Sequence, residues 1–418
     1  MNPKRKLFIR LIGGVILAEI FSMASFATFA VTLIDFTRLW QLTPIEAGWI
    51  SSAFFIGYVA AVPLLVGLTD RCDACRIYYI ACLLGIAGGI GFAWLADGLY
   101  SAMLFRALSG ASLAGTYMPG LRILTERLEG PARLRVVPYY TASFGIGVSL
   151  SFLASGWLVQ LLNWRGAFAV SGFSSAAALV LVVLGTVRVP ALGEPPAAGP
   201  RRHPLDLRPA FRNREALAYI LAYSGHCWEL FAQRAWMHAF LVFAWQQTYH
   251  VPAGAGPAQW STLIVLIGVP ANIIGAEIGS QRGRVRLIRW VALASCGMGV
   301  AAGLLGGFSY AAAVAALFAY NFLIAADSGA LTTGAVAAAK PGEQGATLAV
   351  HSILGFLGGG VGPLIVGWGL DLGGGITHGR AWLFAFALMI AGSALAALAI
   401  SWRSGSSAST SKASAKAV

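Results

Sequence analysis

Again and again the chain runs for about 20 residues with scarcely a charge, then turns through a short polar loop, and a helix of that length matches a hydrocarbon layer of about 30 Å. Composition agrees: 58% of the residues are hydrophobic and 11% charged, with a mean hydropathy of +0.73. A soluble domain carries roughly 25% charged residues. A water-soluble chain this apolar could not cover itself with polar surface, so the sequence predicts an all-α, multi-pass membrane protein. The 51 glycines fit this expectation, because small residues let membrane helices approach closely.

One long interior stretch is polar: VRVPALGEPPAAGPRRHPLDLRPAFRNR, residues 187–214. Rich in Pro, Gly and Arg, it reads as a solvated linker. Six apolar spans lie on either side, at 11–34, 47–68, 77–95, 99–124, 136–162 and 163–187, then at 216–248, 258–279, 287–308, 310–339, 344–370 and 381–402. The expected layout is an N-terminal six-helix bundle over 1–187, a cytoplasmic linker over 188–215, a C-terminal bundle over 216–402 and a disordered tail over 403–418. The first span is too long for the core of a signal peptide, which is about 7–15 residues, and reads as an uncleaved helix.

A net charge of +13 could suggest nucleic acid, but most of the 29 Lys and Arg sit at the ends or in alternate loops. That is the positive-inside pattern, and it puts both termini in the cytoplasm of a plasma (inner) membrane. The five cysteines imply no disulfide framework, and the Cys72-x-x-Cys75 pair lacks the second ligand pair a metal site needs. No HExxH, GxSxG or Walker loop is present, so neither an enzyme nor a cofactor is expected, and energy should come from an ion gradient.

The halves repeat. A shift of about 211 residues lays Trp49 on Trp260, Gly57 on Gly268, Gly156-Trp157 on Gly367-Trp368 and Tyr140 on His351, and with one gap Glu19 falls on Glu229. Parallel repeats of this kind place a substrate site between them near mid-membrane and rock about it. VGLTDRCDACR, between spans 2 and 3, resembles the GxLADRxGRR signature of the major facilitator superfamily, with Leu68, Asp70, Arg71 and Arg76 in or near place. A second-half echo, Gly279-Ser280-Gln281-Arg282-Gly283-Arg284, keeps the Gly-Arg and loses the Asp. Arg106-x-x-x-Gly110 is similar to the family's RxxxG motif, and NWRGAF at 163–168 to its usual opening of helix 6. The resemblance spans roughly residues 8–402 and extends in general style to the cyanate-transporter branch. It implies twelve transmembrane helices in two six-helix bundles, with Asp70, Arg71, Arg76, Arg282 and Arg284 in gating loops whose ion pairs form in one state only. The family's antiporter Gly-Pro is missing from helix 5, where Gly145-Ile146-Gly147 stands, and Gly362-Pro363 occurs in helix 11 instead. That departure counts against drug/proton antiport.

Four ionisable residues, Glu19, Arg106, Glu229 and Asp327, fall deep in spans, joined by His226 and His351. Each charge costs about 2.5–3.5 kcal/mol at the bilayer centre, so they should face a wet chamber or one another. Arg106 shares a helical face with Tyr117 and can clamp an anion bidentately or hold an acid. Glu19 and Glu229 can take and give protons as a site opens to either side. His226, Glu229, Gln233 and Trp236 share one face of helix 7 with Tyr223, and Asn321, Asp327, Tyr140 and His351 complete the candidate lining. The leading expectation is a monomeric secondary transporter in the lipid bilayer, moving a small polar, anionic solute by proton-coupled alternating access. Its competitors are an efflux carrier for hydrophobic compounds, which the many aromatics favour, and a sensor or scaffold that never transports.

Overall fold

The computed structural model describes residues 3–68, 72–187, 189–191, 207–340 and 343–414, which are helical almost throughout, with no strand among them. Asp70, Arg71 and residues 192–206 of the linker lie outside the described residues. The helices are α1 (Pro3–Ser22), α2 (Thr28–Leu39), α3 (Pro44–Leu68), α4 (Ala74–Leu95), α5 (Leu99–Arg127), α6 (Gly130–Thr186), α7 (Arg208–Arg212), α8 (Arg214–Tyr249), α9 (Gly256–Leu266), α10 (Gly268–Arg282), α11 (Arg284–Leu305), α12 (Tyr310–Ala326), α13 (Ser328–Ala338), α14 (Gln344–Leu372) and α15 (Gly379–Ser414).

Nine segments among the described residues are long and apolar enough to cross a membrane. One of them, Arg135–Thr186, is two helices: Asn163 takes φ 59° and ψ −176°, which no helix contains. The Asn163 carboxamide oxygen accepts from the Arg165 backbone N–H at 2.8 Å and caps the helix that follows. Neither α5 nor α8 is in that apolar set; they carry Arg106 and His226, Glu229, Arg234 and His238. With those two added, the rods match the twelve spans predicted, and the protein is an integral multi-pass membrane protein.

Three predicted spans are interrupted. The first divides into α1 and α2 through a 3-10 turn at Met23–Ser25. The eighth divides into α9 and α10 at Ile267, because Pro270 has no N–H for the Leu266 carbonyl. The tenth divides into α12 and α13 at Asp327. At the C-terminus the helical backbone continues to Ser414, where composition alone argued for disorder; the Ala and Lys of that tail are good helix formers.

The chain forms two compact units, Met1–Pro200 with Arg234–Val242 and Pro252–Leu266, and Arg201–Gln233 with Phe243–Val251 and Ile267–Val418. Backbone-close crossings organise each one. In the first, a Cβ on Gly57 would strike the Ala107 carbonyl and one on Gly110 the Phe54 carbonyl, so α3 and α5 touch only because both positions are glycine. In the second, Gly275 lies against the Ala326 carbonyl, and Gly358 and Gly362 against the carbonyls of Ser224 and Trp228.

Candidate functional site

Glu19 is on α1, at 0% exposure, in the first unit. The Tyr140 hydroxyl stands 3.1 Å from Glu19 Oε2 and 2.9 Å from the Tyr117 carbonyl, so its one proton can go to either acceptor. Ser22 lies 3.5 Å from the same carboxylate oxygen, while Glu19 Oε1 has no hydrogen-bond partner. Tyr117 stacks on Tyr140 with ring centroids 5.8 Å apart. The arrangement accommodates two protonation states. A carboxylate accepts from Tyr140. A protonated Glu19 donates to the Tyr140 oxygen, and Tyr140 then donates to the Tyr117 carbonyl.

Arg106 is 4% exposed and has a different partner set from the acid the sequence suggested. Its Nη1 donates to the Ser25 carbonyl at 2.7 Å, and its guanidinium lies 4.6 Å from the Phe54 ring centroid and 5.9 Å from that of Phe29. The 3-10 turn between α1 and α2 is what frees carbonyls for it. Ser151 also serves this break, donating to the Ala24 carbonyl at 2.7 Å and accepting from the Ala27 N–H at 3.0 Å. No carboxylate among the described residues is within ion-pair distance of Arg106. Gly110 lets α5 pack on α3 closely enough to put this guanidinium over Phe54, which is the local use of the RxxxG spacing.

In the second unit Glu229, on α8 and 1% exposed, accepts from Tyr320 at 2.7 Å, from Ser295 at 3.0 Å and from Ser393. One turn earlier, His226 Nδ1 is 2.7 Å from Asp327 Oδ1, an ion pair when the imidazole is protonated. Tyr223 stacks on His351 at 3.8 Å between centroids and, more distantly, on His226 at 5.6 Å. His351 Nε2 is 3.3 Å from the Thr332 hydroxyl. Gln233 and Trp236 continue the buried face of α8, and Asn321 is buried on α12.

The structure therefore groups Glu19, Tyr140 and Tyr117 in one unit, and His226, Asp327 and His351 in the other. Ser295, Tyr320 and Ser393 escaped the sequence reading. Tyr320 is the neighbour of the chosen Asn321, and its only signal was a hydroxyl in an apolar span. Of the gating candidates, Arg76 and Arg282 are exposed and Arg284 is half-buried. Three residues before Arg76, where α4 begins, Asp73 belongs to a pair the sequence did not single out. Buried Arg127 reaches both oxygens of Asp73 at 3.4 Å and the Val189 carbonyl at 2.9 Å. Partial burial pushes the Asp73 carboxyl up, but the Cys75 backbone N–H and Arg127 outweigh it and hold it below the usual carboxylate value. Cys72 and Cys75 are free thiols. No group of three or more His, Cys, Asp or Glu able to hold a metal exists among the described residues.

The Major Facilitator Superfamily model matches residues 15–363. The niacin transporter NiaP of Acinetobacter baylyi is 24% identical over 180 residues, 43% of this chain and 41% of that protein. The multidrug transporter protein MdtP of Bacillus subtilis is 24% identical over 138 residues, 33% of this chain and 25% of that protein. The matched segments thus span less than half the length of these relatives. A crystal structure of a bacterial homologue of the human lysosomal transporter Spinster, inward-facing and occupied, superposes with a TM-score of 0.75 at 16% identity over 96% of each chain, a likeness of fold. A family match over most of the length, on a fold shared with that transporter, carries one conclusion: the chain belongs to the Major Facilitator Superfamily.

Proposed function

We propose that the protein is a secondary transporter that moves a small anionic solute by alternating access, coupled to protons. The observation that carries the anionic reading is Arg106. A guanidinium stays charged whatever surrounds it. Taking such a charge out of water costs several kcal/mol unless it is paired. Here the pairing is with carbonyls and aromatic faces, so the charge is left uncancelled for an anion to meet. A niacin transporter among the relatives fits this reading, since niacin is a carboxylate at neutral pH. Glu19 supplies the coupling: its two self-consistent hydrogen-bond states differ by one proton and the turn of one tyrosine hydroxyl.

Uptake of labelled nicotinate and of small carboxylates of similar size into proteoliposomes, with and without an imposed pH gradient, tests both parts. Gradient-stimulated uptake is expected in the wild type, with a loss of tenfold or more in Arg106→Gln, since a lost bidentate ion pair costs more than about 1.4 kcal/mol. Uptake of carboxylates that Arg106→Gln leaves unchanged would remove the anionic reading. The second reading, export of hydrophobic compounds, is favoured by the MdtP likeness. A deletion strain sensitised to several unrelated apolar toxins, together with no carboxylate uptake, would replace the first reading with that one.

A further inference from the structure

We propose that the turn between α10 and α11 forms a binding site for the headgroup of an acidic phospholipid. A cleft of about 740 Å³ opens there, lined by Arg282, Arg284, Arg286, Arg289, Tyr219 and Trp290. Gly283, at φ 96°, makes the reversal that sets the last residue of α10 beside the first turn of α11. The backbone N–H groups that open α11 have no partners within the helix and carry its positive end. Four guanidiniums around one concavity match a phosphodiester by charge and by their forked donor geometry. By the positive-inside rule this arginine-rich end is the cytoplasmic one.

What makes the ligand a lipid is the surface that continues from the cleft. Trp290, Leu293, Val300 and Leu304 are 69%, 59%, 50% and 50% exposed, and recur at helical spacing down one face of α11. Gly297 sits within this stripe with nothing near it, which leaves a shallow channel between Leu293 and Val300. From Trp290 to Leu304 the stripe runs about 21 Å at 1.5 Å per residue, more than one leaflet of a hydrocarbon layer of about 30 Å. The opposite face, with Ile288, Ala292, Ser295 and Ala302, is buried. A Trp at the junction of a basic cleft and an apolar stripe is placed as interfacial aromatics are. Basic pockets at the cytoplasmic ends of membrane helices suit acidic headgroups on the same grounds. An acidic phospholipid fills both parts: phosphate in the cleft, one acyl chain along the stripe.

The test is thermal unfolding of delipidated full-length protein in micelles containing phosphatidylglycerol or phosphatidylcholine, or with millimolar inorganic phosphate added to the phosphatidylcholine. Phosphatidylglycerol should raise the melting temperature by several degrees over phosphatidylcholine, and phosphate alone should not. The triple variant R282Q/R284Q/R286Q should melt with the wild type in phosphatidylcholine and lose the phosphatidylglycerol increment. Equal melting of the wild type in both lipids, an equal rise with phosphate, or an increment that survives in the variant would overturn the proposal. Should the variant not fold, native mass spectrometry of the wild type in an equimolar mixture of the two lipids decides. Retention of phosphatidylglycerol supports the site, and equal retention of both refutes it.

Discussion

Glu19 and Glu229 occupy corresponding places in the two halves of the sequence, are equally buried, and are held in opposite ways. Glu229 has three hydroxyl donors, from α11, α12 and α15, on its two oxygens. Adding a proton there obliges at least one of those hydroxyls to turn away. Glu19 has one strong candidate donor, Tyr140, shared with the Tyr117 carbonyl, and an oxygen with no partner at all. A proton can be added there while every donor keeps an acceptor. Both halves carry an acid in the membrane, but the hydrogen-bond surroundings differ: hydroxyl donors meet both oxygens of Glu229, whereas one oxygen of Glu19 is left without a partner.

The largest expected effect separates the two by function. Glu19→Gln should abolish the stimulation of uptake by a pH gradient, a drop of roughly tenfold for each 1.4 kcal/mol of coupling lost, while leaving exchange without a gradient intact. Glu229→Gln should lower folded stability by about 1–3 kcal/mol, because an amide cannot accept on its nitrogen and a buried hydroxyl then loses its acceptor. Uptake and thermal unfolding measured on both variants decide the matter. If Glu19→Gln loses stability and keeps its gradient response, the two sites have been assigned the wrong way round.

A smaller effect sharpens the same contrast. Tyr320→Phe removes a donor from a buried carboxylate and should cost about 1.5–3 kcal/mol. Tyr140→Phe removes a hydroxyl that a backbone carbonyl shares with the acid, and should cost about 1 kcal/mol. Unfolding of the two variants in one detergent gives the comparison directly. Equal losses would mean that Glu19 leans on Tyr140 as firmly as Glu229 does on Tyr320.

The sequence made the acids and Arg106 visible because a charge in a hydrocarbon span is costly and therefore stands out. It also gave the spans and their count, since a helix long enough to cross a bilayer needs a run too long to miss. Their partners were hidden for the converse reason. A serine or tyrosine in an apolar helix costs little and is common, and only packing tells which hydroxyl meets which carboxylate. The break in the first span was equally silent: Ser22 to Thr28 contains neither Pro nor Gly, so nothing local announced the carbonyls that Arg106 takes up. The eighth span's break is legible in Pro270, which offers the Leu266 carbonyl no N–H. Under the repeat shift Tyr140 falls on His351, yet Tyr140 serves an acid while His351 stacks on Tyr223 and meets Thr332. Correspondence of position in the sequence does not bring correspondence of chemistry.

The smallest effect lies outside the membrane, at the loop that opens α4, and contrasts with both buried acids. The Asp73 side chain is 47% exposed, so water and salt screen its attraction to Arg127 and limit it to about 0.5 kcal/mol. Its carboxyl is held below the ordinary value, so the stabilisation is fully present above the unfolded-state pKa of about 3.9 and disappears as pH falls through the lower folded value. Asn can replace Asp as a helix N-cap, whereas Ala cannot. Asp73→Asn should therefore melt slightly below the wild type from pH 5 to pH 7, and the gap should close as the pH is taken below about 4. Asp73→Ala should keep a further deficit of about 1 kcal/mol at every pH, because the cap on the Cys75 N–H is gone. A gap between Asn and Asp that stays constant down to pH 3 would mean that Asp73 acts at this turn through its shape alone, and that Arg127 is held by the Val189 carbonyl without help from the charge.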